Sequence, residues 1–388
     1  MVTLSSADNA LKSIYLGVVA NQLNTEINPL LAKIEQTTSD VWGKEIRKLA
    51  PYGLNGGIGA GTEDGDLPLP SQNTYAQFVL TLKNLYGTIE ISDKAIRASQ
   101  HNSGAFVDLL GAEMEGLLRA SKFNFGRMLF GDGTGALCKV VTQTNNVIKV
   151  DNIQNIMEGM IVEVLSYSTK QVVIPATRIT GIDRAGKYVI LENRNIASNT
   201  ASADDILVIQ GSYNKELTGL GAIFGSSDKL YGLSRNDNHW LSPTKTTVSS
   251  ITDIAIQTAM DKVEDLCGAQ TDFIVCSNGV KRAYQNYLIT NRSNVDVMNL
   301  QGGYKAISYN GIPVVSDRFA PKGTMYLLNT KDFHLHQLCD WRWLEGDDGK
   351  VIKQVANKPV YTATLVKYAD MICDRPNAQA MLTGITEA

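Results

Sequence analysis

Two groups of residues in this chain have types and spacings that would suit chemistry. His334 and His336 are two residues apart, so on a β-strand both imidazoles would lie on one face, as two metal ligands would. Gly56–Gly61 is rich in glycine, as phosphate-binding loops are. However, the histidines have no third ligand at a recognisable spacing, and the glycines lack the GK[ST] ending and the following helix. We therefore predict no metal, no cofactor and no enzymatic activity, and interpret the histidines as core or interface residues.

An acidic cluster and a pair of tryptophans are further candidates. Glu63, Asp64 and Asp66 lack the residue order of a calcium loop, so we interpret them as a solvated tip or as a contact with a basic patch on a neighbour. Trp341 and Trp343 alternate on a predicted strand, and such tryptophans can stack on nucleic-acid bases. Because no basic residues cluster around them, core packing or interface anchoring is favoured.

The composition excludes several classes of protein. The chain has 388 residues, enough for two or three domains. Only 19% of them are charged, as in a chain that buries much of its exterior in subunit contacts. A net charge of −3 without a long basic run is not that of a duplex-DNA reader. The N-terminus has no cationic signal region, so we expect a soluble, cytoplasmic chain whose five scattered cysteines are reduced.

The elements that would position these residues begin with a long hairpin and a long helix. Tyr52–Gln100 is polar at its tip, and Asn73–Ser92 alternates like a strand that returns from it. Ser103–Phe130 has apolar residues three and four apart, with acidic residues in its first half and basic residues in its second, as the helix dipole favours. Such a helix would be about 42 Å long. Gly131–Gly135 is predicted to end it.

The rest of the chain changes pattern twice. Between residues 137 and 215, five short β-type runs separated by glycines predict an inserted barrel or sandwich. From Thr247 onwards, predicted helices alternate with strands, which is typical of an α/β layer. Asn291–Gly303 is a polar loop within this layer, and Trp341–Cys373 is predicted to form β-hairpins.

The order of these parts resembles that of the tailed-phage major capsid proteins of the HK97-like fold. Ile89–Arg97 leads into the long helix, and the stretches most similar to that family are Gly104–Gly116 and Gly131–Gly133. The resemblance covers about residues 1–385 and is architectural, because the family has no short diagnostic motif.

The resemblance implies an α+β, HK97-like capsid fold built from five parts. These are an N-terminal arm (residues 1–42), an extended loop (43–91), a peripheral domain with spine helix and β tail (92–136 and 341–388), an inserted small β-barrel domain (137–215) and an α/β axial domain (216–340). The extended loop would lie over an adjacent subunit, and Asn291–Gly303 would lie near the five- and six-fold axes. The candidate intersubunit contacts are Gly56, Gly59, Glu63, Asp64, Asp66, Pro68, Pro70, Asn291, Arg292, Asn294, Asp296, Asn299, Trp341, Trp343, Asp347 and Asp348.

The function that the resemblance implies is that of the major capsid protein of a tailed double-stranded DNA bacteriophage. Its copies would assemble in the host cytoplasm into pentamers and hexamers of an icosahedral head. The expected partners are other copies of the chain, a separate scaffolding protein, a portal, decoration proteins and packaged DNA bound without sequence specificity. No membrane is involved.

Two departures and three alternatives accompany this interpretation. No lysine lies between Lys48 and Lys83, so we predict no lysine–asparagine crosslink from the loop. About 40 residues precede the loop, which indicates that scaffolding is a separate protein or was removed. An encapsulin-like compartment shell shares the fold. A soluble α/β enzyme with an added β-domain would be a small oligomer with a polar pocket, and a sugar-binding module would use residues 137–215.

Overall fold

The computed structural model describes residues 28–94, 103–291, 297–299, 305–346 and 349–388. Most of the predicted N-terminal arm, and the candidate contacts Arg292, Asn294, Asp296, Asp347 and Asp348, lie outside the described residues. The chain divides into two compact units, with Arg119–Ala222 as the second and the rest as the first. The second unit therefore begins within the predicted long helix, after Leu118, and ends just before Ile223.

The first described segment forms a hairpin and a strand that leaves it. A 3₁₀ turn (Leu31–Lys33) is followed by strands β1 (Glu35–Thr37), β2 (Val41–Trp42), β3 (Glu45–Tyr52), β4 (Thr74–Thr81) and β5 (Lys83–Ser92). β2, β3 and β4 form an antiparallel sheet in which Glu45 pairs with Thr81 and Tyr52 pairs with Thr74. β5 instead pairs with Val360–Cys373.

The prediction that Asn73–Ser92 is a single returning arm of the hairpin was therefore wrong. The buried Leu82 divides it, and its N–H donates to the carbonyl of Lys44. The apolar alternation changes phase after Leu82, because the buried positions of β4 are even-numbered and those of β5, such as Leu85 and Ile89, are odd-numbered. Alternation predicts a strand but does not identify its partner.

The helix α1 (Ser103–Phe130) has the predicted bounds. Its buried residues Met114, Leu118, Phe125 and Leu129 follow the three- and four-residue spacing of one helical face. The N–H of Gly131 donates to the carbonyl of Met128 at the end of the helix.

The second unit contains a closed six-stranded barrel. Its strands are β6 (Ala136–Thr144), β7 (Val147–Val150), β8 (Ile161–Leu165), β9 (Val172–Asp183), β10 (Tyr188–Leu191) and β11 (Ile206–Ile209), joined in the order β10-β7-β6-β11-β8-β9. Apolar residues from the strands fill its interior. Five of these strands match the predicted runs, whereas β6 was missed. A register shift between Val140 and Thr142 leaves Val141 partly exposed and breaks the alternation that would have revealed it.

Glycines after the barrel allow close packing of two backbone segments. A short helix α2 (Leu220–Ile223) follows, and a Cβ on Gly221 would lie only 2.8–2.9 Å from the backbone of Phe130 and Gly131. Nearby, the buried Arg127 guanidinium donates two hydrogen bonds to the Glu216 carboxylate, at 2.8 and 2.5 Å. The end of α1 is thus fixed to the segment that leaves the barrel.

The remaining elements belong to the first unit. They are β12 (Lys229–Leu230), β13 (Leu233–Ser234), β14 (Thr244–Thr247), α3 (Asp253–Cys267), β15 (Phe273–Cys276), α4 (Asn278–Thr290), β16 (Val297–Asn299), β17 (Lys305–Tyr309), β18 (Ile312–Ser316), β19 (Met325–Leu328), β20 (Phe333–Trp343), β21 (Lys353–Gln354), β22 (Val360–Cys373) and β23 (Ala380–Thr383). Short 3₁₀ turns span His239–Leu241, Thr330–Asp332 and Pro376–Ala378.

A mixed seven-stranded sheet packs against two helices. Its order is β14-β23-β19-β15-β18-β17-β16, and residues from α3 and α4 share its apolar core. The Thr252 hydroxyl accepts from the Ala255 N–H at the start of α3, and the Ser277 hydroxyl accepts from the Val280 N–H at the start of α4. Gly268, in the left-handed region, ends α3.

A second sheet of the same unit has the order β1-β20-β22-β21, with β5 also paired to β22. The predicted boundary between residues 340 and 341 falls inside β20. β23, which was predicted to belong with the β tail of the peripheral domain, lies between β14 and β19 in the seven-stranded sheet. The sequence pattern specifies strands, but the long-range pairing that assigns them to sheets has no local signal.

Two further features concern the described residues as a whole. All five cysteines are free thiols, and Cys138, Cys276 and Cys373 are buried. In the part of the chain that the structure describes, no helix is long and apolar enough to cross a bilayer.

Candidate subunit interface

The two faces of the β3–β4 hairpin differ sharply in burial. Ile46, Ala50 and Phe78 are fully or almost fully buried on one face. Leu49 and Tyr75 lie on the other face, 64% and 55% exposed. Period-two alternation along both strands produces this division. The buried face fixes the hairpin to its own chain, and the other leaves apolar surface uncovered.

Aromatic rings hold the buried face in place. The Phe78 ring lies 5.0 Å from the Tyr231 ring and 5.8 Å from Trp240, between ring centroids. Tyr52, at the end of β3, stacks on Trp240 at 5.2 Å with the planes within 6°. Aromatic pairs at these separations contribute about 0.5–1.5 kcal/mol each beyond area burial. The hairpin is therefore anchored up to the last pair of its ladder.

Tyr231 links the hairpin to the rest of the unit through its backbone and its side chain. It forms a two-residue turn between β12 and β13 with Gly232, and both residues have positive φ, 53° and 84°. Its carbonyl accepts from the Val79 N–H at 3.1 Å, and its hydroxyl accepts from the Cys373 N–H at 2.8 Å. Burial raises the pKa of the phenol well above its usual value, so it stays neutral.

The two histidines hold the segment that precedes the hairpin. His334 Nδ1 lies 3.4 Å from Asp374, whose carboxylate also accepts from Lys48 Nζ at 2.8 Å. His336 Nδ1 lies 2.9 Å from the carbonyl of Ser39, and burial lowers the pKa of this imidazole. A neutral His336 with its proton on Nδ1 would donate this hydrogen bond. The described residues contain no group of three potential metal ligands.

Residues 53–73 form the hairpin tip, in which side-chain and turn hydrogen bonds are present but no strands pair. The Asn55 side chain accepts from the Gly57 N–H and donates to the Asn73 side chain across the two arms. A Cβ on Gly59 would lie 3.1 Å from Pro68 Cγ, so the arms run side by side. At the end, the Gly65 N–H donates to the Thr62 carbonyl and closes a turn.

The surface of the tip combines exposed apolar side chains with an acidic turn. Glu63 and Asp64 occupy the two central positions of the turn, and Asp66 follows it. All three residues are exposed to solvent. The apolar side chains of the tip are 85–95% exposed, and these are Leu54, Ile58, Leu67 and Leu69. Large apolar side chains grouped in this way usually mark an interaction site.

The structure places the predicted contact residues in different settings. Gly56, Gly59, Pro68 and Pro70 lie with the acidic residues on the exposed tip. Asn291 is exposed, and its side-chain amide donates to the Tyr287 carbonyl at the end of α4. Asn299 ends β16.

The two tryptophans do not belong to this surface. Trp341 and Trp343 are only 5% and 4% exposed, and they pack inside their own chain. The alternation of these tryptophans allowed two interpretations, core packing or interface anchoring. Their burial indicates core packing, so their candidate role as subunit contacts is corrected. The anchors Tyr231 and Trp240 were missed, because two-residue turns of this kind favour Asn-Gly or Asp-Gly and a tyrosine with positive φ gives no such signal.

Comparisons with known proteins agree with this architecture. No family model matches the sequence, and no curated protein is similar to it. Among solved structures, the chain is similar to a protein in the capsid asymmetric unit of cyanophage A-1(L), with 14% identity and a TM-score of 0.55. The match covers 97% of this chain and 94% of the other. The chain has an HK97-like capsid fold.

Two other similar structures have lower scores. A protein of Mycobacterium phage Bobi has a TM-score of 0.46 at 9% identity, and the match covers 100% of both chains. The SrpI encapsulin of Synechococcus elongatus has a TM-score of 0.43 at 10% identity, and the match covers 95% of both chains. Of these three structures, the cyanophage protein is the one whose TM-score supports the shared fold.

Proposed function

We propose that this chain is the major capsid protein of a tailed double-stranded DNA bacteriophage, with a structural and not a catalytic role. One observation carries the proposal: the capsid fold extends over 97% of the chain, and its anchored hairpin holds an uncovered apolar tip. In a shell, that tip would lie on an adjacent copy. Fully burying a large apolar side chain stabilises an association by about 1.5–3 kcal/mol.

The geometry favours assembly through repeated contacts. The tip and the surface that receives it are different patches, so the contact is head-to-tail and closes into rings when the rotation permits. Each contact of this kind can be weak, because a closed shell repeats it many times and the contacts reinforce one another. We propose that pentamers and hexamers form in the host cytoplasm in this way and enclose the genome in the virion.

Parts of the chain take roles in this proposal. The hairpin with its tip acts as the extended loop, α1 as the spine helix, and the seven-stranded sheet with α3 and α4 as the core of the axial domain. The barrel acts as an inserted domain. A scaffolding protein, a portal and decoration proteins remain proposed partners, and the net charge of −3 suits a wall that holds DNA without a tight phosphate grip.

The particle mass of the purified full-length chain tests the proposal. Light scattering and negative-stain microscopy should show closed megadalton shells or five- and six-fold rings. A monomer or dimer at micromolar concentration, also in the presence of crowding agents, would contradict it. DNA protected from nuclease inside native particles would support a phage head, whereas a protein cargo would support a cellular compartment instead.

A variant of the tip sharpens this test. Replacing Leu54, Ile58, Leu67 and Leu69 by serine should abolish assembly and leave the circular dichroism spectrum unchanged, because these side chains have little packing within the chain. The double variant Ser71→Ala with Gln72→Ala is the matched control on the same tip and should assemble normally.

A further inference from the structure

A polar cavity of about 370 Å³ lies in the first unit, lined by residues between 225 and 245. Arg235, His239 and Lys245 contribute basic side chains to its wall, and Asp228 contributes one carboxylate. Ser226 and Ser227 add hydroxyl groups. Basic residues therefore outnumber acidic ones around a cavity open to solvent.

Arg235 is built into this wall. Its side chain is buried, and its guanidinium donates to the carbonyls of Leu241 and Ile223, both at 2.8 Å. These two bonds fix the orientation of the guanidinium. The Lys245 ammonium donates to the Gly225 carbonyl at 3.3 Å. Partial burial of the ammonium and the neighbouring Arg235 lower the pKa of Lys245, which indicates that the two positive charges act on the same space.

The acidic turn of the hairpin tip has the complementary charge. Glu63, Asp64 and Asp66 are exposed, and no lysine or arginine occurs between Lys48 and Lys83. The turn is narrow, since only two residues separate Thr62 from Gly65 and their side chains are free to project. The chain's own turn does not line the cavity. The turn thus brings two adjacent, exposed carboxylates to a narrow end.

We propose that the cavity around Arg235 and Lys245 binds the acidic turn Glu63–Asp66 of a second copy of this chain. This inference rests on the proposed function and adds the receiving surface for the tip. The exposed Lys245 and His239 would meet the carboxylates first, and Arg235 would supply a fixed charge behind them. A nucleic-acid backbone fits less well, because a phosphate chain requires a longer run of cations than this wall contains.

Zero-length crosslinking with a carbodiimide tests the contact directly on assembled full-length chain. The reagent joins a carboxylate to a lysine amine with loss of water, so it reports pairs in direct contact. Peptide mass spectrometry should find Lys245 joined to Glu63, Asp64 or Asp66, in bands of dimer mass or larger on a denaturing gel. The same crosslink confined to bands of monomer mass would overturn the proposal, as would its absence from assembled particles.

Charge reversal gives a second, independent readout. Lys245→Glu and Asp64→Lys should each raise the concentration required for half-maximal assembly by about tenfold, because like charges would then face each other. The variant that carries both substitutions restores the charge pairing. Its concentration for half-maximal assembly should return close to that of the unmodified chain. Lys229→Glu, an exposed lysine outside the cavity, is the matched control and should assemble as the unmodified chain does.

The outcomes separate this inference from the proposed function. Rings or shells that form equally well with Lys245→Glu would overturn the contact and leave the capsid role intact. An unmodified chain that never assembles would overturn both. If Lys245→Glu assembles normally but its particles retain less DNA, the cavity binds DNA and not the acidic turn. That result would also overturn the proposal.

Discussion

The ladder and the tip of one hairpin show how differently two neighbouring regions of this chain are stabilised. In the ladder, Phe78 is completely buried against aromatic rings, and Val79 donates to the backbone of Tyr231. In the tip, Leu54 is 95% exposed and no strand pairing occurs. The ladder is stable within its own chain, whereas the tip has apolar surface whose burial requires another molecule.

The largest effect on folding is expected where the ladder is anchored. Phe78→Ala removes a ring that packs on Tyr231 and Trp240, and should lower the free energy of unfolding by about 3–5 kcal/mol. Urea denaturation of the unassembled chain measures this change. Gln77→Ala, on the exposed face of the same strand, should change it by less than about 0.5 kcal/mol. Equal losses in the two variants would show that the face division does not govern stability.

A smaller loss is expected at the polar end of the same anchor. Tyr231→Phe removes the hydroxyl that accepts from the Cys373 N–H and leaves a buried donor without a partner, which costs about 1–3 kcal/mol. The thermal unfolding midpoint should fall accordingly. Tyr167→Phe, at a ring that is 55% exposed, is the control and should leave the midpoint unchanged.

The ion pair at the base of the hairpin should contribute less. Lys48 and Asp374 are 17% and 24% exposed at 2.8 Å, so solvent partly screens them. Lys48→Met should lower the free energy of unfolding by about 1 kcal/mol or less. Arg47→Met, whose ion pair with Glu45 is more exposed, should have a smaller effect still. A larger loss from Arg47→Met would reverse the expected order.

These anchors also show what the sequence could and could not predict. The bounds of α1 were predicted to the residue, because apolar spacing, charge polarity and a terminal glycine all agree there. Local alternation likewise predicted five of the six barrel strands. The acidic turn at the tip followed from its composition.

What could not be predicted depends on pairing between distant residues. The pairing of β5 with β22, and the place of β23 in the seven-stranded sheet, have no local signal. The same holds for the contact of Phe78 with Tyr231 and for the cavity around Lys245. Trp341 and Trp343 show the limit most simply, because alternation alone does not distinguish a core face from an interface.

The smallest effect on folding is expected at the tip. Leu67→Ser with Leu69→Ser should change the free energy of unfolding of the unassembled chain by less than about 0.5 kcal/mol, because both side chains are at least 85% exposed. Assembly of the same variant, followed by light scattering, should be strongly impaired. A loss of stability comparable to that of Phe78→Ala would show that the tip packs on its own chain.

Hydrogen exchange tests the central claim most directly, by comparing the unassembled chain with assembled particles. Amides of Glu45–Tyr52 and Thr74–Thr81 should be protected in both states, since their ladder lies within one chain. Amides of residues 53–73 should exchange rapidly in the unassembled chain and slowly in particles, because a neighbour then covers them. Equally rapid exchange of the tip in both states would contradict the claim that it gains its stability from an adjacent subunit.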